Sequence, residues 1–402
     1  MQRLIFFRNF ANERESEMEQ FLNTSLYNLK RSAIRVFSQK AKETPGCIAL
    51  TLGEPDFETP ENIRAAAKLS LDSGDTHYIQ NNGSSALLEA VSLFEKEKNG
   101  VNYSPDEIII TTGATEALFT ALFGVLNPGD EVLVPEPAFG LYESIITMCR
   151  GKYVALDTSR NGFQISRQML EKAVTDKTKA IILNSPNNPT GCVLNRESLE
   201  NVYNAVKGRN IFVLCDDVYR QLVYDDNYES FSSFQDLKKQ LLVVQSFSKP
   251  YAMTGWRMGY LLAELEVKRR LELVHQFTVV STASFSQKAC IEALKTDVTP
   301  MLEVYRKRRS FVLSRLEEIG LETVTPMGGF YAFPSIEKFG IPSGEFCTRM
   351  IEQAGLAATP GFCFGSDKHI RLTYCYGDEQ LEEGMNRLES FVKSLKNGDN
   401  YD

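Results

Sequence analysis

Seven short apolar runs between residues 107 and 263 constrain the fold of this chain more than any other feature. They are EIIIT (107–111), EVLV (131–134), KYVAL (152–156), KAIILN (179–184), IFVLC (211–215), LLVVQS (241–246) and GYLLA (259–263). Most are continuous rather than alternating, as expected for strands covered on both faces. Stretches with helical periodicity lie between most of them, at 114–125, 140–149, 196–207 and 265–277. Strand and helix alternating in this way predict an α/β fold: a large domain with a mostly parallel central sheet sandwiched by helices.

The pattern changes after about residue 290. A long amphipathic helix is expected over 298–319, then short strands at FYAF (330–333) and HIRLTY (369–374), and a closing helix over 378–396. The expected organisation is therefore an N-terminal arm (1–30), a smaller α+β domain built from both chain ends (31–65 and 290–402), and the large domain (66–289). No GxGxxG follows a strand, which counts against a nicotinamide enzyme.

The charge balance excludes one class of partner. With 44 basic and 52 acidic residues the net charge is 44 − 52 = −8, with no basic block to neutralise phosphates, so nucleic acid is not an expected partner. The eight cysteines are scattered without a CxxC pair, and three histidines far apart do not suggest a metal site. No run approaches the length of a membrane span and no signal peptide is visible, so the expectation is a cytoplasmic protein.

Ligands of open α/β sheets bind at the carboxyl ends of the strands. TTGATEAL (111–118) places Gly113 at a turn and starts a helix near Ala114, where free N–H groups and the helix dipole favour a phosphate; Thr112 or Thr115 could instead cap that helix. SPNNPTG (185–191) is an irregular loop in which Asn188 offers an amide. DDVY (216–219) puts Asp216 at the inner end of a buried strand, where a carboxylate needs a cationic partner, with Tyr219 three residues on. SFSKPYAMTGWRMGY (246–260) sets Lys249 in an apolar run behind Ser246 and Ser248, with Arg257 eight residues downstream. Arg371 lies inside an apolar strand, either snorkelling to solvent or gripping an anion. One ligand asks for all of these together, pyridoxal phosphate. Its aldehyde needs a lysine, its ring nitrogen an acid, its phenolic oxygen donors and its phosphate a helix start.

From about Ile34 to Leu395 the sequence resembles the class I/II aminotransferases of fold type I. The detail is most similar to bacterial aspartate, aromatic and N-acetyl-diaminopimelate aminotransferases. The shared motifs are GEPDF (53–57), TTGATEAL, EPAFGLY (136–142), LNSPNNPTG (183–191), CDDVY (215–219), SFSKPYAMTGWRMGY, GGFYAFP (328–334) and HIRLTY. The resemblance implies that Lys249 is the Schiff-base lysine and that Asp216 pairs with the pyridine nitrogen. It gives Tyr219 and Asn188 the phenolic oxygen, and Phe139 the ring face. The phosphate falls to Ser246, Ser248 and Arg257 with the backbone of Gly113, Ala114 and Thr115. Tyr78 would reach the phosphate of a neighbouring subunit, implying a homodimer with shared active sites. Arg371, near Gly53 and Asn188, would hold the substrate α-carboxylate.

Three positions depart from the family: Asp217 as the second acid, Leu87-Leu88 where an arginine is frequent, and Phe139 without a hydroxyl. The implied reaction is a ping-pong transamination between an L-amino acid and a 2-oxo acid, 2-oxoglutarate being the expected acceptor. Ile34 points to a partly hydrophobic substrate side chain. Two alternatives stand beside this reading: β-elimination by a C–S lyase on the same fold, and a regulator with an aminotransferase-like domain. The second would need a DNA-binding segment that the ~30 residues before Ile34 are too short and too weakly basic to supply.

Overall fold

A computed structural model describes residues 22–29, 32–224 and 228–396. Most of the N-terminal arm expected over 1–30 lies outside the described residues; within it, Thr24–Asn28 forms a single 3-10 turn.

All seven apolar runs become strands of one sheet: β2 (Ile108–Thr111), β3 (Glu131–Glu136), β4 (Lys152–Asp157), β5 (Thr178–Asn184), β6 (Phe212–Asp216), β7 (Leu241–Ser246) and β8 (Gly259–Ala263), following the short β1 (Ile48–Ala49). Their spatial order is β2-β8-β7-β6-β5-β3-β4. Six strands run in one direction, and β8 alone is reversed, pairing antiparallel with both β2 and β7. The apolar runs are continuous because successive residues enter two different cores. Ile108, Ile110, Ile181, Val213 and Val243 pack on one face; Ile109, Ile182, Leu214, Leu242 and Val244 pack on the other. Side chains alternate across a strand, so burial on both sides demands apolar residues throughout. The edge strand β4 is the exception, with Lys152, Ala155 and Asp157 exposed.

The helices are α1 (Ala33–Glu43), α2 (Glu61–Asp72), α3 (Ser85–Asn99), α4 (Gly113–Val125), α5 (Leu141–Met148), α6 (Arg167–Ala173), α7 (Arg196–Val206), α8 (Leu265–Thr278), α9 (Ser284–Ala293), α10 (Thr299–Ile319), α11 (Ser343–Ala354) and α12 (Asp378–Lys396). A further core joins Phe37, Ala41 and Leu50 from the N-terminal side to Tyr305, Val312, Phe346, Leu372 and Leu388. There β1 pairs parallel with β10 (Leu356–Ala357), while β12 (Ile370–Thr373) lies between β11 (Thr359–Pro360) and β9 (Tyr331–Ala332). Ile63 of α2 and Ala289, Cys290 and Ala293 of α9 belong to the first sheet core. Both helices therefore belong to the core of the large sheet. Among the described residues no helix is long and apolar enough to cross a membrane.

Candidate active site

The ends of neighbouring strands gather the polar residues. Asn184, the last residue of β5, is in register with Asp216, the last of β6. Ser246 ends β7 opposite Gly259, which also faces Thr111 at the end of β2. A Cβ on Gly259 would lie 2.6 Å from the Gln245 carbonyl and 3.0 Å from the Ala114 nitrogen. Only glycine lets the start of α4 approach this closely.

Asp216 is buried and receives a hydrogen bond on Oδ2 from the Tyr142 hydroxyl at 2.5 Å. Its Oδ1 has no partner among the described residues. Burial raises this carboxyl to about 6, against the opposing hydrogen bond from Tyr142. The Asn184 amide fixes the backbone here. Its Nδ2 donates to the Asp216 carbonyl at 2.8 Å, and its Oδ1 accepts the Asn188 N–H at 2.8 Å.

Lys249 follows β7 and is half-buried, its Nζ donating to the Gly53 carbonyl at 2.7 Å. Burial pushes its amine down to about 8; Arg371 and Arg257 add to this, while Cys375 and Glu54 oppose it. The Ser246 Oγ accepts the Ser248 N–H at 3.0 Å, which shapes the turn leading to the lysine.

Ala252 and Arg257 both take left-handed backbone angles, φ 49° and 53°. Such angles are costly for residues with a Cβ and are held only where surrounding contacts enforce them. The Arg257 conformation turns its guanidinium onto Gly113. At Gly113 φ is +72°, and a Cβ would come within 2.6 Å of Arg257 Nη2. Arg257, a glycine without side chain and the first N–H groups of α4 thus lie together, a combination of donors that suits an anion. Thr112 occupies the N-cap position without a side-chain capping bond. Its N–H donates instead to Glu116 Oε2 at 2.7 Å, and no threonine side chain caps the helix.

Arg371 is fully enclosed, with its guanidinium between the rings of Tyr331 (4.6 Å to the centroid) and Phe364 (4.8 Å). It donates to Asn188 Oδ1 at 2.8 Å and to the Thr51 carbonyl at 2.5 Å, while Nε is buried without a partner among the described residues. The burial excludes the snorkelling alternative.

Arg371 thus meets Asn188, which Asn184 links to the Asp216 backbone, while Arg257 sits on the Gly113 turn. Phe139 packs edge-on against Tyr142. Thr115 is exposed on the first turn of α4. Tyr78 is 88% exposed and takes no part in its own chain's site. Sequence reasoning missed Tyr142, Asn184 and Tyr331. The hydroxyl of Tyr331 sits 2.7 Å from that of Tyr219. Tyr142 and Tyr331 stand inside quoted motifs, and Asn184 is the polar end of an apolar strand; that polar end was the available signal.

The constellation sets a half-buried amine and a buried acid beyond the ends of neighbouring strands. The family model for aminotransferase class I and II matches residues 45–388. The chain belongs to that family and is an aminotransferase. It is 41% identical to the probable N-acetyl-LL-diaminopimelate aminotransferase of Bacillus subtilis (strain 168), across 93% of this chain and 96% of that protein. Identity is 37% to the aspartate aminotransferase of Pyrococcus abyssi, across 91% and 96%. Among solved structures, the aromatic aminotransferase of Pyrococcus horikoshii OT3 superposes with a TM-score of 0.85 at 37% identity, covering 90% of this chain and 99% of that one.

Proposed function

We propose that this chain uses pyridoxal phosphate to move an amino group from an L-amino acid to a 2-oxo acid, 2-oxoglutarate among them, in ping-pong order. The observation that carries the reading is the pairing of two groups at adjacent strand ends. One is a buried carboxylate with an unpartnered oxygen, Asp216 Oδ1; the other is a partly buried amine brought down to about 8, Lys249. The residues fit the cofactor. Asp216 would meet its ring nitrogen, Tyr219 and Asn188 its phenolic oxygen, and Phe139 its ring face. Ser246, Ser248 and Arg257, with the N–H groups of Gly113, Ala114 and Thr115, would hold its phosphate. Lys249 would hold it covalently.

When bound, the cofactor supplies an electron-withdrawing ring that acidifies the substrate Cα–H. The protein groups do the rest. Asp216 keeps the proton on the ring nitrogen. Arg371 orients the substrate by its α-carboxylate, with Gly53 and Asn188 alongside, while Tyr331 and Phe364 exclude water from the guanidinium. Lys249 removes the proton from Cα. At pH 7.5 an amine at about 8 is roughly one quarter neutral, against about one in a thousand for an ordinary lysine. Ile34 packs against a cluster containing Phe333 and Phe364, the ring beside Arg371, which favours a partly hydrophobic substrate side chain; strict aspartate specificity in a donor panel would refute that preference.

We place the enzyme in the cytoplasm as a homodimer, with Tyr78 completing the phosphate site of the second copy. Each subunit would divide into the sheet domain that holds the cofactor and the smaller domain that brings Arg371. The test is Lys249→Ala. Wild-type protein should turn yellow with pyridoxal phosphate and bleach on adding an amino acid, whereas the variant should do neither and should not transaminate. A variant that works at the wild-type rate, or a wild type that takes up no cofactor, overturns the reading. Release of pyruvate and ammonia from a cysteine conjugate would instead reveal elimination.

A further inference from the structure

His275 of α8 is completely buried, and the reaction gives it no part. Its Nε2 lies 2.7 Å from the Asn81 carbonyl, and its Nδ1 lies 2.9 Å from Glu116 Oε1. A carbonyl oxygen only accepts, so Nε2 carries a hydrogen. Glu116 is otherwise occupied as an acceptor, taking the Thr112 N–H on Oε2 at 2.7 Å and the Thr120 hydroxyl on Oε1 at 3.0 Å. A hydrogen bond between Nδ1 and Oε1 takes one further proton. Whichever atom it sits on, histidine and glutamate together carry no net charge.

The position of this pair matters. Glu116 stands in the first turn of α4, and Thr112, whose N–H it caps, precedes the Gly113 turn on which Arg257 rests. A carboxylate there satisfies an N–H at the helix start and suits the helix dipole, yet it repels any second anion at that end. Removing one partner of a buried pair leaves the other uncompensated.

We propose that His275 is a positioning residue of the phosphate cradle: it neutralises Glu116, so that the carboxylate can brace the start of α4 without repelling a phosphate bound there. Through Asn81 the same imidazole ties the cradle to the loop that ends at Ser84. The Asn81 amide also donates to the Val280 carbonyl at 2.7 Å, and the Asn82 carbonyl accepts the Ile110 N–H at 2.9 Å. The inference rests on the proposed cofactor.

The experiment compares binding of pyridoxal phosphate and of pyridoxal, which lacks the phosphate, to full-length protein stripped and reconstituted. The proteins are wild type, His275→Gln, Glu116→Gln and the double variant. His275→Gln should weaken pyridoxal phosphate about tenfold or more and leave pyridoxal within about twofold. Adding Glu116→Gln should recover most of the loss. Glu116→Gln alone should bind the phosphate form at least as tightly as wild type, and it decides the matter if the histidine variant fails to fold. Equal weakening of both ligands, no recovery in the double variant, or a tenfold loss from Glu116→Gln alone overturns the proposal. Wild type that binds neither ligand refutes the cofactor assignment instead.

Discussion

The substitution Asp216→Asn should make the cofactor-free protein relatively more stable as pH rises. Burial pushes the folded carboxyl up to about 6, from 3.8 for the ordinary value. Between those values the native state binds more protons than the unfolded chain, so wild-type stability falls as pH increases through the window. Above about pH 6 the full cost is present: about 2 pK units at about 1.4 kcal/mol each, or about 3 kcal/mol. Near pH 4.5 about 1 kcal/mol remains, so about 2 kcal/mol develops between pH 4.5 and 7.5. The substituted asparagine cannot ionise, although its oxygen still accepts from Tyr142. Its amide lacks a ready acceptor, which adds a pH-independent cost of about 1–3 kcal/mol. The diagnostic quantity is therefore the change in the difference with pH, not its absolute size. Asp217 is present in both proteins, so its own titration largely cancels. Urea unfolding of both stripped proteins, at one protein concentration and several pH values, measures this. A difference that stays flat with pH, or grows in favour of aspartate at high pH, refutes the account of Asp216 as a carboxylate held at a cost. Adding pyridoxal phosphate should reverse the order at pH 7.5, because only the carboxylate pairs with a protonated ring nitrogen.

Gly113→Ala adds a methyl 2.6 Å from Arg257 Nη2 at a residue with φ +72°. It should cost about 1–2 kcal/mol for the left-handed backbone and displace the guanidinium, seen as a lower melting temperature and faster cofactor release. Arg371→Lys cannot reproduce the paired donation to Asn188 and Thr51. It should lose about 1.5–3 kcal/mol of carboxylate binding, raising the KM of both substrates about ten- to a hundredfold with the cofactor spectrum unchanged.

How much of this was legible in the sequence follows from the range of each interaction. The seven strands could be read because burial on both faces writes itself into adjacent residues, and the polar ends of those strands marked the site. The antiparallel β8 was not legible: a run buried throughout carries no mark of its direction. Nor were the partners of the site residues. Tyr142 and Asp216 are 74 residues apart, Tyr219 and Tyr331 are 112, and Glu116 and His275 are 159. Such pairs exist only once the topology has placed their elements together. His275 carried no local signal; it reads as one polar residue in an amphipathic helix.

One short segment shows why the GEPDF motif belongs to the site although it supplies no chemistry of its own. The Thr51 carbonyl accepts from Arg371, and two residues later the Gly53 carbonyl accepts from Lys249. The Glu54 carboxylate takes the Thr254 hydroxyl, and the Thr59 hydroxyl donates to the Ala252 carbonyl. Asp56 meanwhile forms a two-pronged pair with Arg308, at 2.8 Å for each contact. Residues 51–59 thus tie Arg371, Lys249 and its left-handed loop, and the helix α10 into one unit. Gly53 must lack a side chain, since a Cβ would lie 2.0 Å from the Tyr331 hydroxyl. Arg371 and Lys249 are therefore anchored to backbone carbonyls two residues apart, a separation the chain limits to at most about 7 Å.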